Sequence, residues 1–327
     1  MARRAGVPDL VERARRGEHL AVARLISLVE DGADGRGDPG MLREVAAALA
    51  PHAGGAHVVG VTGPPGVGKS TSTSALVRAL REQGRRVGVL AVDPSSPFSG
   101  GALLGDRVRM GEHATDEGVF IRSMATRGQL GGLAWATPQA LRVLDAAGCD
   151  VVLIETVGVG QSEVDVVRLA DTTLVLLAPG MGDGVQAAKA GILEVADVFV
   201  VNKADRDGAR QTVRDLRHML TFGDDAGGAG WRPPVLRTVA ARGEGMSEVV
   251  AAIDEHRVWL DAGGERDRRR LARAEAEIQA IALEQVRARI GDLRGARGLP
   301  ELARWVVTGR TDPYRAADEL VAALGRD

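Results

Sequence analysis

A glycine-rich segment early in the chain carries the residue types that hold a phosphate chain. It reads GPPGVGKST and fits the P-loop spacing GxxxxGK[ST]. In such a loop, backbone N–H groups close around phosphate oxygens, the lysine reaches the β- and γ-phosphates, and the serine hydroxyl coordinates Mg²⁺. The residues that we predict to bind a nucleotide here are Gly63, Pro64, Pro65, Gly66, Val67, Gly68, Lys69, Ser70 and Thr71. A tight glycine turn without a ligand is disfavoured by the apolar run before the loop and the helical pattern after it.

The sequence NKAD, which begins at Asn202, indicates the base of that nucleotide. The Asp205 carboxylate can accept hydrogen bonds from N1–H and the exocyclic amine of guanine, while the stem of Lys203 packs on the ring. Adenine lacks this pair of donors, and a polar mismatch of this kind gives discrimination of roughly 10⁴-fold. We therefore predict that the chain binds GTP and GDP with Mg²⁺, and that Asn202, Lys203 and Asp205 lie at the guanine.

A weaker signal for the base lies in the sequence VAARG at residues 239–243. It follows the last apolar run, where GTPases commonly place a loop of the SA type against the guanine oxygen. Ala240 or Ala241 is expected to present a backbone N–H there, although the serine of that loop is missing.

The sequence ETVG, which begins at Glu155 and follows the apolar run VVLI, takes the place of the DxxG switch of GTPases. There the Gly158 N–H would contact the γ-phosphate, and Glu155 would bind or orient the metal or its waters. With Lys69 these two residues form the predicted catalytic set, whereas a purely structural carboxylate at the strand end is the alternative. Position 159 is valine, where Ras-like enzymes carry a water-orienting glutamine. We therefore expect slow intrinsic hydrolysis, unless Gln161 or a partner completes the site.

Short apolar runs that alternate with helical segments must position these motifs. The strand candidates are HVVGVTG, RVGVLAVD, DVVLIET, TTLVLLAP, DVFVVNKAD and PPVLRTVA. Because near-continuous Val, Leu and Ile runs suit strands buried on both faces, we predict an α/β fold: a mostly parallel P-loop GTPase sheet with helices on both faces. Residues 51–260 form the predicted GTPase domain, 1–50 an N-terminal helical extension and 261–327 a C-terminal helical region. Residues 94–136 are predicted to be a long functional loop.

The composition limits the other functions that the chain could have. A hydrophobic fraction of 45% can fill a core, and a net charge of −2 with mixed signs argues against nucleic acid as the main ligand. The single cysteine, Cys149, precedes an apolar run and is expected to be a buried structural thiol. Since no stretch approaches the roughly 18 apolar residues of a membrane span, we expect no membrane partner and a cytoplasmic protein.

Taken together, the motifs resemble those of the MeaB-type G-protein chaperones of adenosylcobalamin-dependent acyl-CoA mutases. Besides the P-loop, the similar segments are residues 93–110, DPSSPFSGGALLGDRVRM, residues 155–163, ETVGVGQSE, and residues 179–197, PGMGDGVQAAKAGILEVAD. The resemblance covers most of the chain. It implies a GTPase that gates cobalamin loading and protects a mutase from inactivation, with methylmalonyl-CoA mutase the first candidate.

The resemblance also extends the predicted site to residues that the spacing alone does not select. Asp93 and Asp106 become candidate Mg²⁺ or switch residues, and Arg109 becomes a switch contact. Carboxylate oxygens suit a hard cation, although both acids could simply be solvated. The predicted metal ligands are therefore Ser70, Asp93, Asp106 and Glu155.

Two further expectations follow from the resemblance alone. Asp183 and Lys189 fall in the family's third switch, which couples the nucleotide state to the mutase, so that hydrolysis is expected to be stimulated by the partner. Residues 261–327 take the role of the family's C-terminal helices, through which it forms homodimers.

Two alternatives remain open. A metallochaperone GTPase for a nickel enzyme would need a metal-binding cluster, but the six histidines are scattered without ligand spacing and one cysteine cannot form a soft site. A regulatory GTP-binding module with negligible turnover is credible because of the valine at position 159. A kinase for amino-acid transport, an older label for the family, is disfavoured by NKAD.

Overall fold

Seven parallel strands form one sheet in the part of the chain that the structure describes. The structure is a computed structural model that describes residues 6–33, 37–94, 111–113, 115–126, 136–156, 168–180, 195–222, 230–290 and 299–324. The strands are β1 (His57–Thr62), β2 (Val87–Pro94), β3 (Val119–Thr126), β4 (Val151–Thr156), β5 (Thr172–Leu177), β6 (Val198–Val201) and β7 (Val235–Arg237). Their order is β3-β2-β4-β1-β5-β6-β7, and every pairing is parallel. The predicted α/β fold with a parallel sheet is confirmed.

Ten α-helices are present in the described ranges. They are α1 (Val7–Arg15), α2 (His19–Ala33), α3 (Pro39–Leu49), α4 (Lys69–Glu82), α5 (Ala136–Ala146), α6 (Ala209–Phe222), α7 (Met246–Ala262), α8 (Glu265–Ile290), α9 (Leu299–Val307) and α10 (Pro313–Leu324). None of these helices combines the length and the apolar composition that crossing a membrane requires.

The order of the strands brings the predicted motifs to one edge of the sheet. In a parallel sheet all carboxyl ends lie on the same side. The P-loop follows the central strand β1, Glu155 lies in the neighbouring strand β4, Asn202 follows β6, and Ala240 follows β7. Segments that are far apart in sequence therefore meet at the carboxyl edge.

The prediction of an uninterrupted loop over residues 94–136 is wrong for part of that segment. Residues 119–126 form the edge strand β3, which pairs with β2 along its whole length, and residues 111–113 form a 3₁₀ turn. An edge strand needs no continuous apolar run, and this one carries Arg122, which pairs with Glu30 of α2. The polar residues of β3 therefore interrupt the apolar pattern that predicts a strand.

The first three helices pack in one hydrophobic cluster with α5 and the sheet. Leu25, Ile26 and Leu49 are fully buried in that cluster beside Val152 of β4. Cys149 is buried in it as predicted, and burial raises the pKa of its thiol to about 12. These helices thus cover one face of the sheet, while α4 and α7 pack on the other face.

The chain divides into two units, Met1–Asp267 and Arg268–Asp327. In the second unit, helices α9 and α10 share a small core of Leu302, Ala316 and Leu320. The helical pattern predicted beyond residue 260 corresponds to α8, α9 and α10. The proposed functional boundaries at residues 50 and 260 stay predictions.

Candidate nucleotide-binding site

The P-loop turns tightly between β1 and α4 because three of its residues are glycines with positive φ. Gly63, Gly66 and Gly68 have φ angles of 142°, 80° and 95°. A Cβ atom at Gly63 would lie 2.2 Å from the carbonyl oxygen of Leu176 in β5, which leaves no room for any other residue. Helix α4 starts directly after Gly68, so that its N-terminal N–H groups lie at the carboxyl edge of the sheet.

The Lys69 side chain is buried within this turn. Its Nζ donates to the carbonyl oxygens of Gly63, at 2.6 Å, and Pro64, at 3.2 Å. Only 7% of the residue is exposed. The ammonium group therefore lies inside the loop, where a cation is required to neutralise phosphate oxygens. Its contact with the β- and γ-phosphates stays a prediction.

Two oxygen donors predicted to serve Mg²⁺ contact each other. The Ser70 hydroxyl donates to Oε1 of Glu155 over 2.6 Å, and both residues are buried. The register of β1 with β4 sets Glu155 beside Val61, a few residues before the P-loop. A hydroxyl beside a carboxylate at this edge suits a hard cation, which in phosphate sites takes one or two protein ligands and completes its shell with water and phosphate oxygens. The residues present thus fit a magnesium ion.

The remaining predicted metal and switch residues are only partly described. In the register of β2 with β4, Ala91 lies beside Glu155, so the backbone of Asp93 lies two residues further along towards the same edge. The other predicted residues fall outside the described ranges, namely Gly158, Asp106, Arg109, Gln161, Asp183 and Lys189.

Asn202 is buried, and its amide joins three loops of the site. Its Nδ2 donates to the carbonyl oxygen of Val67 in the P-loop over 2.9 Å. Its Oδ1 accepts from the N–H of Ala240, at 3.0 Å, and from the Thr238 hydroxyl, at 3.2 Å. Gly68 is needed here as well, because a Cβ atom on it would lie 2.7 Å from Nδ2 of Asn202. Asn202 therefore connects the phosphate loop to the loops at the predicted base site, a role that its sequence position did not reveal.

Lys203 contacts the phosphate loop from the other side. Its Nζ donates to the carbonyl oxygen of Gly66 over 2.6 Å. Its φ of 55° makes it the one residue other than glycine with positive φ in the described ranges. Such a conformation costs on the order of 1 kcal/mol and is found at functional sites more often than elsewhere. This turn carries the Lys203 stem over the P-loop, next to the exposed Asp205.

The loop after β7 places the two alanines that are predicted to contact guanine in different surroundings. The Ala240 N–H is bonded to Asn202, and residues 240–242 form a single 3₁₀ turn. Ala240 is buried, whereas Ala241 is exposed. Ala241 is therefore the better candidate for an N–H directed at the guanine oxygen, and this contact too stays a prediction.

The same turn carries a residue that is not among those predicted for the site. The Arg242 guanidinium donates to Oδ2 of Asp205 over 3.3 Å and to Glu244 through Nε over 2.6 Å. Hydrogen bonding to Arg242 lowers the pKa of the Glu244 carboxyl. Since Arg242 and Asp205 stand 37 positions apart, no local pattern could have shown this contact.

A cluster of polar side chains joins residues 111–113, which follow the predicted switch residues Asp106 and Arg109, to helix α4. His113 Nε2 lies 3.0 Å from the Ser74 hydroxyl of α4, and Glu112 binds both that hydroxyl and Arg78. The hydrogen bond from Ser74 is the main cause that lowers the pKa of the Glu112 carboxyl. Residues 111–113 are thereby held on the helix that starts in the P-loop.

A parallel sheet with a glycine loop after its central strand, and an NKAD segment bonded to that loop, defines a P-loop GTPase. The sequence model of the family described as methylmalonyl Co-A mutase-associated GTPase MeaB matches residues 22–293. The chain belongs to this family, as the motifs predicted.

Individual proteins agree with this assignment. A Pyrococcus abyssi protein is 48% identical over 319 residues, which cover 97% of both chains. The mouse methylmalonic aciduria type A homolog, named as mitochondrial, is 39% identical over 81% of this chain and 65% of its own length. The crystal structure of a protein titled LAO/AO transport system kinase covers 99% of both chains with a TM-score of 0.73 and 27% identity.

Proposed function

We propose that this GTPase is a chaperone of an adenosylcobalamin-dependent acyl-CoA mutase, in which GTP hydrolysis gates cobalamin loading and protects the mutase from inactivation. Methylmalonyl-CoA mutase is the proposed partner. The family description names an association with that mutase, and the mouse relative is named after methylmalonic aciduria. Both names support the proposal.

One observation carries the choice of nucleotide. Asn202 bonds the P-loop carbonyl of Val67 and the N–H of Ala240, so the NKAD segment lies directly against the phosphate loop. A single bound molecule can therefore reach Lys69 with its phosphates and Asp205 with its base. GTP and GDP are the nucleotides whose guanine offers two donors to that carboxylate.

The residues of the site divide the work of GTP hydrolysis. A water attacks the γ-phosphate, the bond to the β-phosphate oxygen breaks, and GDP and phosphate leave. Lys69 neutralises the charge on the β- and γ-oxygens, and Ser70 with Glu155 would hold Mg²⁺, which supplies further positive charge there. The Gly158 N–H is proposed to contact the γ-phosphate. Because position 159 is valine, the attacking water lacks the glutamine side chain that orients it in Ras-like enzymes. The intrinsic rate of hydrolysis is therefore slow.

We also propose that the protein forms a homodimer through its C-terminal helices. Helix α8 carries a row of exposed apolar side chains that includes Leu271, Ile278 and Ile281, at helical spacing. Leu271 and Ile278 are 62% and 67% exposed. A second copy of the chain would cover this row. Light scattering of the purified protein measures its molar mass in solution, which should be that of a dimer. Ile278→Glu places a charge in the apolar row and should give the mass of a monomer.

The experiment that tests the chaperone proposal is steady-state phosphate release from GTP with and without purified methylmalonyl-CoA mutase. We expect low basal turnover and a clear stimulation by the mutase, with Lys69→Ala as the inactive reference. Absence of stimulation by any acyl-CoA mutase of the same cell would reject the chaperone role but leave the GTPase in place. Absence of turnover under all conditions would favour a regulatory GTP-binding module.

A further inference from the structure

Arg242 lies between two carboxylates that belong to different parts of the predicted base site. Its Nε and Nη2 donate to the two oxygens of Glu244, over 2.6 and 3.3 Å, which is a two-point contact between a guanidinium and a carboxylate. Its remaining arm, Nη1, donates to Oδ2 of Asp205 over 3.3 Å. Glu244 therefore orients the guanidinium, and the guanidinium contacts the carboxylate that is predicted to recognise guanine.

The loop that carries Arg242 has a defined shape. The Val239 N–H donates to the carbonyl oxygen of Glu244 over 3.0 Å, and the Arg242 N–H donates to that of Val239 over 2.8 Å. Gly243 and Gly245 have φ angles of 73° and 80°. A Cβ atom at Gly245 would lie 2.3 Å from the carbonyl oxygen of Arg237. This short closed turn therefore holds Arg242 in one position beside β6 and β7.

The Asp205 carboxylate needs such a neighbour if it is to recognise a base. Rotation about the terminal bond of an aspartate is broad, so an exposed carboxylate has no single plane of its own. The Asp205 side chain is 41% exposed. Guanine presents two parallel donors, and both carboxylate oxygens must face them at once. A guanidinium bonded to one oxygen restricts the rotation and leaves the other lone pairs for the base.

We propose that Arg242 is a specificity-determining positioning residue: it aligns the Asp205 carboxylate for guanine, and Glu244 holds Arg242 in place. This inference rests on the proposed guanine specificity of the site. An ordinary exposed ion pair would contribute only a little, and only to local stability. The two roles differ in their effect on nucleotide affinity. Only alignment of Asp205 changes the affinity for guanine nucleotides relative to that for adenine nucleotides.

The test is calorimetric binding of GDP and ADP to Arg242→Gln in the full-length protein. We expect GDP to bind about fivefold more weakly than to the wild type, the upper range for an exposed ion pair. ADP binding should not change. The matched control is Arg206→Gln. Arg206 is an exposed arginine next to Asp205 in sequence, so this substitution makes the same change in charge.

Two further variants separate alignment from folding and from general electrostatics. In an Asp205→Ala background, Arg242→Gln should have no further effect on GDP binding, since the carboxylate that it aligns is gone. Glu244→Gln should weaken GDP binding in the same direction as Arg242→Gln, but less. The melting temperature of each variant without nucleotide reports any loss of folding.

Each outcome decides the inference. Unchanged or tighter GDP binding by Arg242→Gln would overturn it, and tighter binding would indicate that Arg242 competes with the base. An equal loss in the Asp205→Ala background, or an equal loss with Arg206→Gln, would assign the effect to charge alone. If the wild type binds ADP as well as GDP, the guanine assignment itself fails, which is a separate result.

Discussion

The Ser70 hydroxyl of the P-loop helix donates a 2.6 Å hydrogen bond to the Glu155 carboxylate at the end of β4. This contact joins the residue that follows the P-loop lysine to the acidic residue of the ETVG sequence, which takes the place of the DxxG switch. Both side chains are buried, and both were selected from the sequence as metal ligands. Their contact gives a direct way to test the magnesium site.

Ser70→Ala and Glu155→Gln should each lower the affinity for Mg²⁺, so that GTP hydrolysis requires a higher Mg²⁺ concentration. Each change removes one oxygen of the pair, and even loss of a residue that only orients a metal ligand commonly reduces metal affinity by about 10- to 100-fold. The measurement is phosphate release at increasing Mg²⁺ concentration. Ser72→Ala is the matched control, because it removes another buried hydroxyl of α4, one that has no hydrogen-bond partner among the residues that the structure describes. If Ser70→Ala and Glu155→Gln give the same Mg²⁺ curve as Ser72→Ala and the wild type, this pair does not bind the metal.

Asp205→Asn should change the base preference from guanine towards xanthine. The amide donates where the carboxylate accepts, and xanthine offers an extra oxygen in place of the exocyclic amine of guanine. Calorimetry with GDP, XDP and ADP measures the change, and the wild type should bind GDP far more tightly than ADP. Retention of full GDP affinity by Asp205→Asn would show that this carboxylate does not recognise the base.

Lys189→Ala should reduce stimulation by the mutase more than basal hydrolysis. If Lys189 couples the nucleotide state to the partner, its removal lowers the differential affinity of the mutase for the state that is ready for hydrolysis. Phosphate release with and without mutase gives both rates for each protein, and GDP affinity is the control for the nucleotide site. Equal fractional loss of the two rates would reject the coupling role.

Acid should destabilise the protein through a histidine on the opposite edge of the sheet. His57 starts β1 and is buried; its Nε2 bonds the Thr172 hydroxyl, which also contacts His256. Burial lowers the pKa of His57 to about 4, although the nearby Asp171 opposes the shift. The unfolded chain takes up this proton near pH 6.5, whereas the folded chain resists it until about pH 4. The contribution to stability is therefore complete above pH 6.5 and is lost as the pH falls towards 4.

The loss should reach up to about 3 kcal/mol at pH 4, on the basis of about 1.4 kcal/mol per pH unit. Thermal unfolding of the wild type and His57→Gln between pH 4 and 7 measures it, and the variant should show a shallower decline. The exposed His218→Gln serves as the matched control. Identical slopes for wild type and His57→Gln would attribute the acid sensitivity to other groups.

The sequence predicted the elements that its own local patterns define. The runs that became β1 and β4 are largely apolar because both faces of these strands are buried, and their polar residues stand at the strand ends. The glycine spacing before Lys69 requires a strand before it and a helix after it, and both are present. Strand β3 gave no such signal, since an edge strand tolerates residues such as Arg122.

The contacts that the sequence did not predict depend on distant parts of the chain. The hydrogen bonds of Asn202 with Val67 span 135 positions, and those with Ala240 span 38. The contact of Arg242 with Asp205 likewise joins the segments that follow the paired strands β6 and β7. A motif shows that a residue type is suited to a ligand, but only the folded chain shows which neighbours orient it.

The bond between Asn202 and the Val67 carbonyl has a thermodynamic consequence for nucleotide binding. The two ends of a bound nucleotide would lie on loops that share one buried amide, so neither loop can shift without straining the other. Binding of guanosine alone would partly order the phosphate loop, and binding of pyrophosphate alone would partly order the loop at the base. The free energy of binding the intact nucleotide therefore differs from the sum for its two fragments, and the difference reports the mutual reinforcement of the two loops.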